Sequence, residues 1–208
     1  MTSVSIIAGT DTDAGKTVFA AGLAGLIGAS YWKPVQAGLD GGGDADRVAA
    51  LAGLPPGRIL PEAYRLTTPC SPHQAAAIDG VTIDPARLAL PSVAGALVVE
   101  TAGGVLVPLA DELLQIAMIA RWAAPVVLVA RTALGTINHS LLSIEALRAR
   151  AIPIRGVAFV GDAAPESEAA VIRLGGVRRL GRLPRLDPLG PATLAAAMRA
   201  AFDPADFR

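Results

Sequence analysis

The feature that most narrows the fold is the stretch Gly9-Thr10-Asp11-Thr12-Asp13-Ala14-Gly15-Lys16-Thr17, set between an apolar run and a helical pattern. Glycines there let backbone N–H groups converge on phosphate oxygens, and the start of a helix adds positive potential. A lysine after the last glycine reaches the β- and γ-phosphates, and the following hydroxyl can ligate Mg²⁺. Five residues rather than the common four separate Gly9 from Gly15. A Gly-rich turn between any strand and helix is the competing reading, but strand, Gly-Lys-Thr and helix occur here together and in order. The expected fold is therefore α/β and P-loop NTPase-like, a mostly parallel sheet flanked by helices on both faces.

The rest of the chain repeats that alternation. Apolar runs predict strands at 3–8, 30–35, 96–100, 125–130, 156–160 and 179–183, and helical spacing predicts helices at 16–27, 45–52, 72–78, 112–123, 138–149, 166–174 and 192–202. With 208 residues, 52% of them apolar and only 17% charged, the chain can bury a core and is too apolar for disorder. One P-loop α/β domain over residues 1–208 is expected. Lys and Arg balance Asp and Glu at 18 each, so no nucleic-acid partner is expected. The apolar stretches are shorter than a bilayer span, and the first ten residues lack a charged export segment. A single cysteine, Cys70, excludes an intrachain disulfide. No membrane contact and a cytoplasmic location are the resulting expectations.

Sixteen of the 18 basic residues are Arg, and only Lys16 and Lys33 are Lys. A chain that uses Arg as its generic cation marks these two positions as needing a compact ammonium. Lys33 sits at the carboxyl end of the second predicted strand, where ligands of open α/β sheets gather; a solvated lysine at a strand end is the alternative. Glu100 ends the run Ala96-Leu97-Val98-Val99 and precedes Thr101-Ala102-Gly103-Gly104. A carboxylate there suits Mg²⁺ bridging nucleotide phosphates, or else caps a turn. A second carboxylate comes from Asp44 or Asp46; Asp44 shares a helix face with Val48 and Leu51 and is preferred, although either residue could cap its helix. Cys70 and His73 could suggest a thiol nucleophile, but a free cysteine is more commonly a small hydrophobe. Residues 134–139 open a helix whose first amides could hold a carboxylate; a plain helix cap is the alternative.

Taken together, Gly9 to Thr17, Lys33 to Gly38, Asp44, Ser71-Pro72-His73, Glu100 to Gly104 and Gly135 to His139 resemble the dethiobiotin synthetase family. The family's phosphate loop carries the same extra residue. The resemblance implies that 7,8-diaminononanoate is carbamoylated by CO₂, that the carbamate attacks the γ-phosphate of ATP, and that the second amine closes the ureido ring as phosphate leaves. It implies catalytic roles for Lys33, Lys16 and Thr12, and a Mg²⁺ site of Thr17, Asp44 and Glu100. Nucleotide contacts would come from Asp13, Ala14, Gly15, Lys16, Thr17 and Val18, from Asp44 and from Glu100, Thr101, Ala102 and Gly103. Val160, Gly161, Pro184, Arg185 and Leu186 would flank the base. Substrate would meet Lys33 and Ala37, with its carboxylate at Thr136, Ile137 and Asn138 of a partner subunit, which implies a homodimer with a shared active site.

Three positions depart from the family pattern. Ala37 stands where Ser or Thr is frequent, Asp13 where Glu is frequent, and Val160 where an Asn commonly reads adenine. A partner-regulated ATPase of the chromosome-partitioning type is the alternative on the same fold, but its extra loop lysine would fall at Asp11. An amide ligase of the cobyrinate or cobyric acid synthetase kind would bring a glutaminase with a catalytic Cys, which is not expected in this chain. A nucleotide-binding module without turnover is the non-enzymatic alternative.

Overall fold

The computed structural model describes residues 3–208; Met1 and Thr2, part of the segment read for export signals, lie outside the described residues. In order, the elements are β1 (Val4–Gly9), α1 (Lys16–Ile27), β2 (Ser30–Trp32), β3 (Val35–Ala37), α2 (Asp44–Leu51), β4 (Tyr64–Leu66) and α3 (Pro72–Ile78). They continue with β5 (Leu97–Gly104), β6 (Pro108–Ala110), β7 (Leu113–Leu114), α4 (Gln115–Trp122), β8 (Val126–Arg131) and α5 (Thr136–Arg148). The chain then forms β9 (Ile154–Val160), α6 (Pro165–Gly175), β10 (Arg179–Leu183) and α7 (Pro191–Ala201), with 3-10 turns at Pro85–Leu88 and Pro204–Phe207.

Six strands form one sheet in the order β10-β9-β8-β1-β5-β2, and every pairing in it is parallel. Alternate residues of each strand feed opposite faces. Ile6, Val99 and Leu128 join a core with α3, α4, α5 and α6. Ile7, Val98 and Val127 join a second core with α1, α2 and α7. Central strands buried on both faces explain why their sequences read as continuous apolar runs rather than alternating ones.

Four predicted boundaries are corrected. The strand expected over 30–35 breaks at Lys33-Pro34, because Pro34 has no N–H to donate. Beyond the break, Val35–Ala37 leaves the main sheet to pair in parallel with Tyr64–Leu66. The helix expected over 112–123 begins only at Gln115, since Leu113–Leu114 pairs antiparallel with Pro108–Ala110. The helix expected from 138 begins at Thr136, just after Gly135 in a left-handed turn with φ +92°. Strand β5 also runs past Glu100 to Gly104, so this carboxylate lies within the strand rather than at its edge.

Candidate active site

Strand β1 occupies the middle of the sheet between β8 and β5, so the loop after it opens at a crevice between neighbouring strands whose connections run in opposite directions. That loop ends at Gly15, the residue before α1, with φ +91°. A Cβ at Gly15 would stand 2.7 Å from Val160 Cγ1, so both the backbone angle and the neighbour require glycine. Lys16 is buried, and its Nζ donates to the Asp11 carbonyl at 2.8 Å across the loop. Burial pulls the Lys16 ammonium down to about 8, with Glu100 partly opposing and Lys33 adding to the effect.

A cavity of about 380 Å³ lies beside this loop. Its walls include Thr12 from the loop, Lys16 and Thr17 from the start of α1, Lys33 between β2 and β3, Ala37 from β3, Asp44 from the start of α2, and Glu100 with Gly103 from β5. Lys33 Nζ donates to Asp44 Oδ2 and, at 3.4 Å, to Glu100 Oε1. Burial opposes the Lys33 charge, but these two carboxylates outweigh it and raise its pKa. Burial likewise opposes the charge on Asp44, and Lys33 with the Thr17 hydroxyl reverses the balance and lowers its pKa. Glu100 is fully buried; its Oε1 accepts from the Thr17 hydroxyl at 2.7 Å and its Oε2 from the Tyr31 hydroxyl at 2.8 Å. One hydroxyl and two carboxylates therefore converge as hard oxygen donors, the chemistry that Mg²⁺ takes together with phosphate oxygens. Among the described residues no group of three or more His, Cys, Asp or Glu forms a self-sufficient metal cage.

The two candidate aspartates separate clearly. Asp46 accepts from the Gly43 amide at 2.8 Å and pairs with exposed Arg65 at 3.1 Å, so it caps its own helix, while Asp44 faces the cavity. Asp13, Gly15 and Val18 also reach this cavity, as does Ala102. Thr101 turns away, its hydroxyl donating to the Ile7 carbonyl at 3.2 Å. A neighbouring cavity of about 420 Å³ joins the loop at Asp13, Ala14 and Gly15 and is completed by Arg131, Thr132, Val160, Gly161 and Arg185. Pro184 is exposed beside it, and Leu186 packs partly buried against the core. Thr136 is buried at the start of α5, Ile137 is half-buried and Asn138 exposed, and none of the three lines either cavity.

Sequence reasoning missed several residues here. Arg47 lines the cavity wall, beside Cys70, which the sequence offered as a small hydrophobe; Arg47 follows Asp44 by one helical turn, a spacing that could have found it. His73 takes Ser71 Oγ at 3.0 Å, and Cys70 donates weakly to the Ser71 carbonyl, so their partners do not make a nucleophilic pair. Gln115 holds the Ala102 backbone at both ends, accepting from its N–H at 2.8 Å and donating to its carbonyl at 2.8 Å. Gln36 accepts from the Asp44 amide at 3.0 Å and so fixes the start of α2.

A family model described as an AAA domain matches residues 4–193. Curated relatives include a protein named ATP-dependent dethiobiotin synthetase BioD from Rhodopseudomonas palustris strain BisB18, 63% identical over 207 residues and covering 100% of this chain and 99% of that protein. Proteins of the same name from Rhizorhabdus wittichii strain RW1 and Afipia carboxidovorans strain OM5 are 65% and 57% identical, each covering 100% of this chain and 99% of theirs. Among solved structures, a ParA family ATPase from Chlorobium tepidum TLS aligns with TM-score 0.54 at 10% identity, over 96% of this chain and 91% of that one. The cell division ATPase MinD of Pyrococcus furiosus aligns with TM-score 0.53 at 14% identity, over 96% and 99%. At such identities the two structures share the fold alone.

Proposed function

The chain belongs to the dethiobiotin synthetase family, and from that membership we propose how its residues divide the work. It is an ATP-dependent ligase of biotin biosynthesis whose product is dethiobiotin. The substrates are 7,8-diaminononanoate, CO₂ and ATP. One amine adds CO₂ to form a carbamate and loses a proton. A carbamate oxygen then attacks the γ-phosphate, releasing ADP, and the second amine attacks the carbamate carbon, closing the ring as inorganic phosphate departs.

The single observation that carries this reading is the convergence of both lysines, Thr17, Asp44 and Glu100 in one cavity. Attack of a carbamate on a triphosphate brings anions together, so fixed positive charge is needed where negative charge develops. Two ammonium groups and two carboxylates nearly cancel, so a bound triphosphate would leave the cavity strongly negative without a further cation. Thr17, Asp44 and Glu100 would hold Mg²⁺, which would supply positive charge against the phosphates. Lys16 exchanges the Asp11 carbonyl for phosphate oxygens. Lys33, kept protonated by its two carboxylates, stands at the carbamate as an electrostatic clamp rather than as a base. Thr12 and the Gly103 backbone line the reacting groups, and the cavity around Val160, Gly161 and Arg185 takes the nucleoside.

The substrate carboxylate goes to Thr136, Ile137 and Asn138 of a partner subunit in a homodimer. Supporting this, the first N–H groups of a helix lack intrahelical acceptors, and the buried Thr136 hydroxyl has no hydrogen-bond partner among the described residues. Leu134 is fully exposed just before this helix, and half-exposed Leu106 and Leu142 line a cavity of about 540 Å³ with Thr12 and His139. A cytoplasmic location accompanies the reading, since ATP is supplied there. The test is mass-spectrometric detection of dethiobiotin from diaminononanoate, bicarbonate, Mg²⁺ and ATP, with the protein omitted as control. Product is expected only with all components; none in the complete mixture would overturn the assignment.

A further inference from the structure

The wall of the nucleoside cavity formed by Val160 and Gly161 is held from behind by an ion-pair cluster that lines neither this cavity nor the one beside the phosphate loop. Gly161 follows β9 with φ +129°, and a Cβ there would stand 2.4 Å from Thr132 Oγ1, so its backbone lies directly against the end of β8. Its N–H donates to the Leu183 carbonyl at 3.0 Å, and its carbonyl accepts from Arg182 Nη1 at 3.0 Å. Both polar backbone groups of Gly161 are thus fixed by β10. Arg182 is itself oriented by Glu168 on α6, whose Oε1 lies 3.3 Å from Arg182 Nε. The same Oε1 accepts from the Ala164 N–H at 3.4 Å, so Glu168 grips the far end of the 161–164 loop as well. Glu168 is buried, and Arg179 takes its other oxygen through Nε at 3.0 Å and Nη2 at 2.7 Å. Val160, next to Gly161, packs against Gly15, the glycine that carries the turn into α1.

We propose that Glu168, acting through Arg182 on the Gly161 carbonyl, is a positioning residue for nucleoside binding, setting the 160–162 wall against which base and ribose pack. The inference rests on the reading of this cavity as the nucleoside site. Arg182 uses two arms of one planar fork, Nε to the carboxylate and Nη1 to the carbonyl, and a lysine ammonium on a single stem cannot span both in that geometry. Arg179 shares the carboxylate but does not reach the wall, so it separates positioning from general support of the fold.

The experiment measures ATP and inorganic tripolyphosphate binding calorimetrically, with KM, kcat and thermal melting, for wild type, Arg182→Lys, Glu168→Gln and Arg179→Lys. Tripolyphosphate fills the phosphate loop and has no nucleoside. Arg182→Lys and Glu168→Gln should raise Kd and KM for ATP roughly threefold to tenfold, the worth of one hydrogen bond, with kcat within about twofold and tripolyphosphate binding unchanged. Arg179→Lys should bind ATP as wild type does, even if its melting temperature falls. Unchanged ATP affinity in the first two variants would overturn the proposal. So would equal weakening of ATP and tripolyphosphate, or an Arg179→Lys variant as impaired as Arg182→Lys. If one of the first two does not fold, the other carries the comparison. Wild-type protein that binds tripolyphosphate as tightly as ATP would instead overturn the nucleoside-cavity reading beneath it.

Discussion

Lys16 and Lys33 are the only lysines in a chain with 16 arginines, and both are buried in the same cavity. Each ammonium sits within hydrogen-bonding reach of fixed oxygens, Lys16 on the Asp11 carbonyl and Lys33 between Asp44 and Glu100. A guanidinium is larger and planar and cannot rotate three donors about a point. Lys16→Arg and Lys33→Arg should therefore each lose roughly 10²-fold or more in kcat although charge is retained; steady-state kinetics with ATP and diaminononanoate measure it, and near-wild-type turnover in both would contradict the argument. Lys16 also predicts a pH dependence. Burial brings it to about 8 in the free protein, and a bound triphosphate favours the charged form and raises it. Nucleotide binding should thus be independent of pH below about 8 and weaken by about a factor of ten per pH unit above it, where binding must take up a proton. ATP titrations from about pH 6.5 to about pH 9.5 check the sign; affinity that rises or stays level across that range would count against it.

At the scale of elements, the six strands of the main sheet and all seven helices were legible from period and punctuation, because buried parallel strands and amphipathic helices leave long signals. The two small sheets were not. Strands β3, β4, β6 and β7 span only two or three residues each, too few for any period to show, and their pairings are decided by tertiary neighbours. The break at Pro34 was visible in the sequence as a residue without an N–H, yet the apolar run through Val35 masked it. The phosphate loop was legible from its strand, Gly-Lys-Thr and helix order, Lys33 because the chain has only two lysines, and Asp44 and Glu100 from their places on a helix face and after an apolar run. Arg47 and Gln115 were passed over because charged and amide residues on helices ordinarily face solvent, and the Glu168–Arg182 pair joins α6 to β10, a contact only the fold makes. The junction of β1 and α1 yields a prediction of its own. Gly15→Ala places a Cβ at positive φ, costing about 1–2 kcal/mol, and drives it against Val160, 2.7 Å away. The variant should show a lowered melting temperature and lose most nucleotide affinity; wild-type ATP binding would show that the loop tolerates a different backbone.

For the whole molecule, the proposed placement of the substrate carboxylate calls for a second copy of the chain. Leu142 is 57% exposed and lies one turn from His139 on the face of α5 that lines the cavity shared with Thr12. A carboxylate at that position would be desolvated by an opposing subunit. Leu142→Glu should sediment as a monomer, with KM for diaminononanoate raised by roughly tenfold or more and ATP binding retained, because only the substrate carboxylate is held across the interface. A dimer with unchanged KM would place the interface elsewhere.

The central claim is that this cavity couples γ-phosphate transfer to ring closure rather than to hydrolysis, which separates it from ATPases on the same fold. The most direct measurement is the stoichiometry of phosphate and dethiobiotin, followed together while diaminononanoate and bicarbonate are withheld in turn. The account predicts negligible phosphate release unless both are present, and one dethiobiotin for each phosphate when they are. Phosphate release that proceeds at the same rate without diaminononanoate, or with no dethiobiotin accompanying it, would contradict the account.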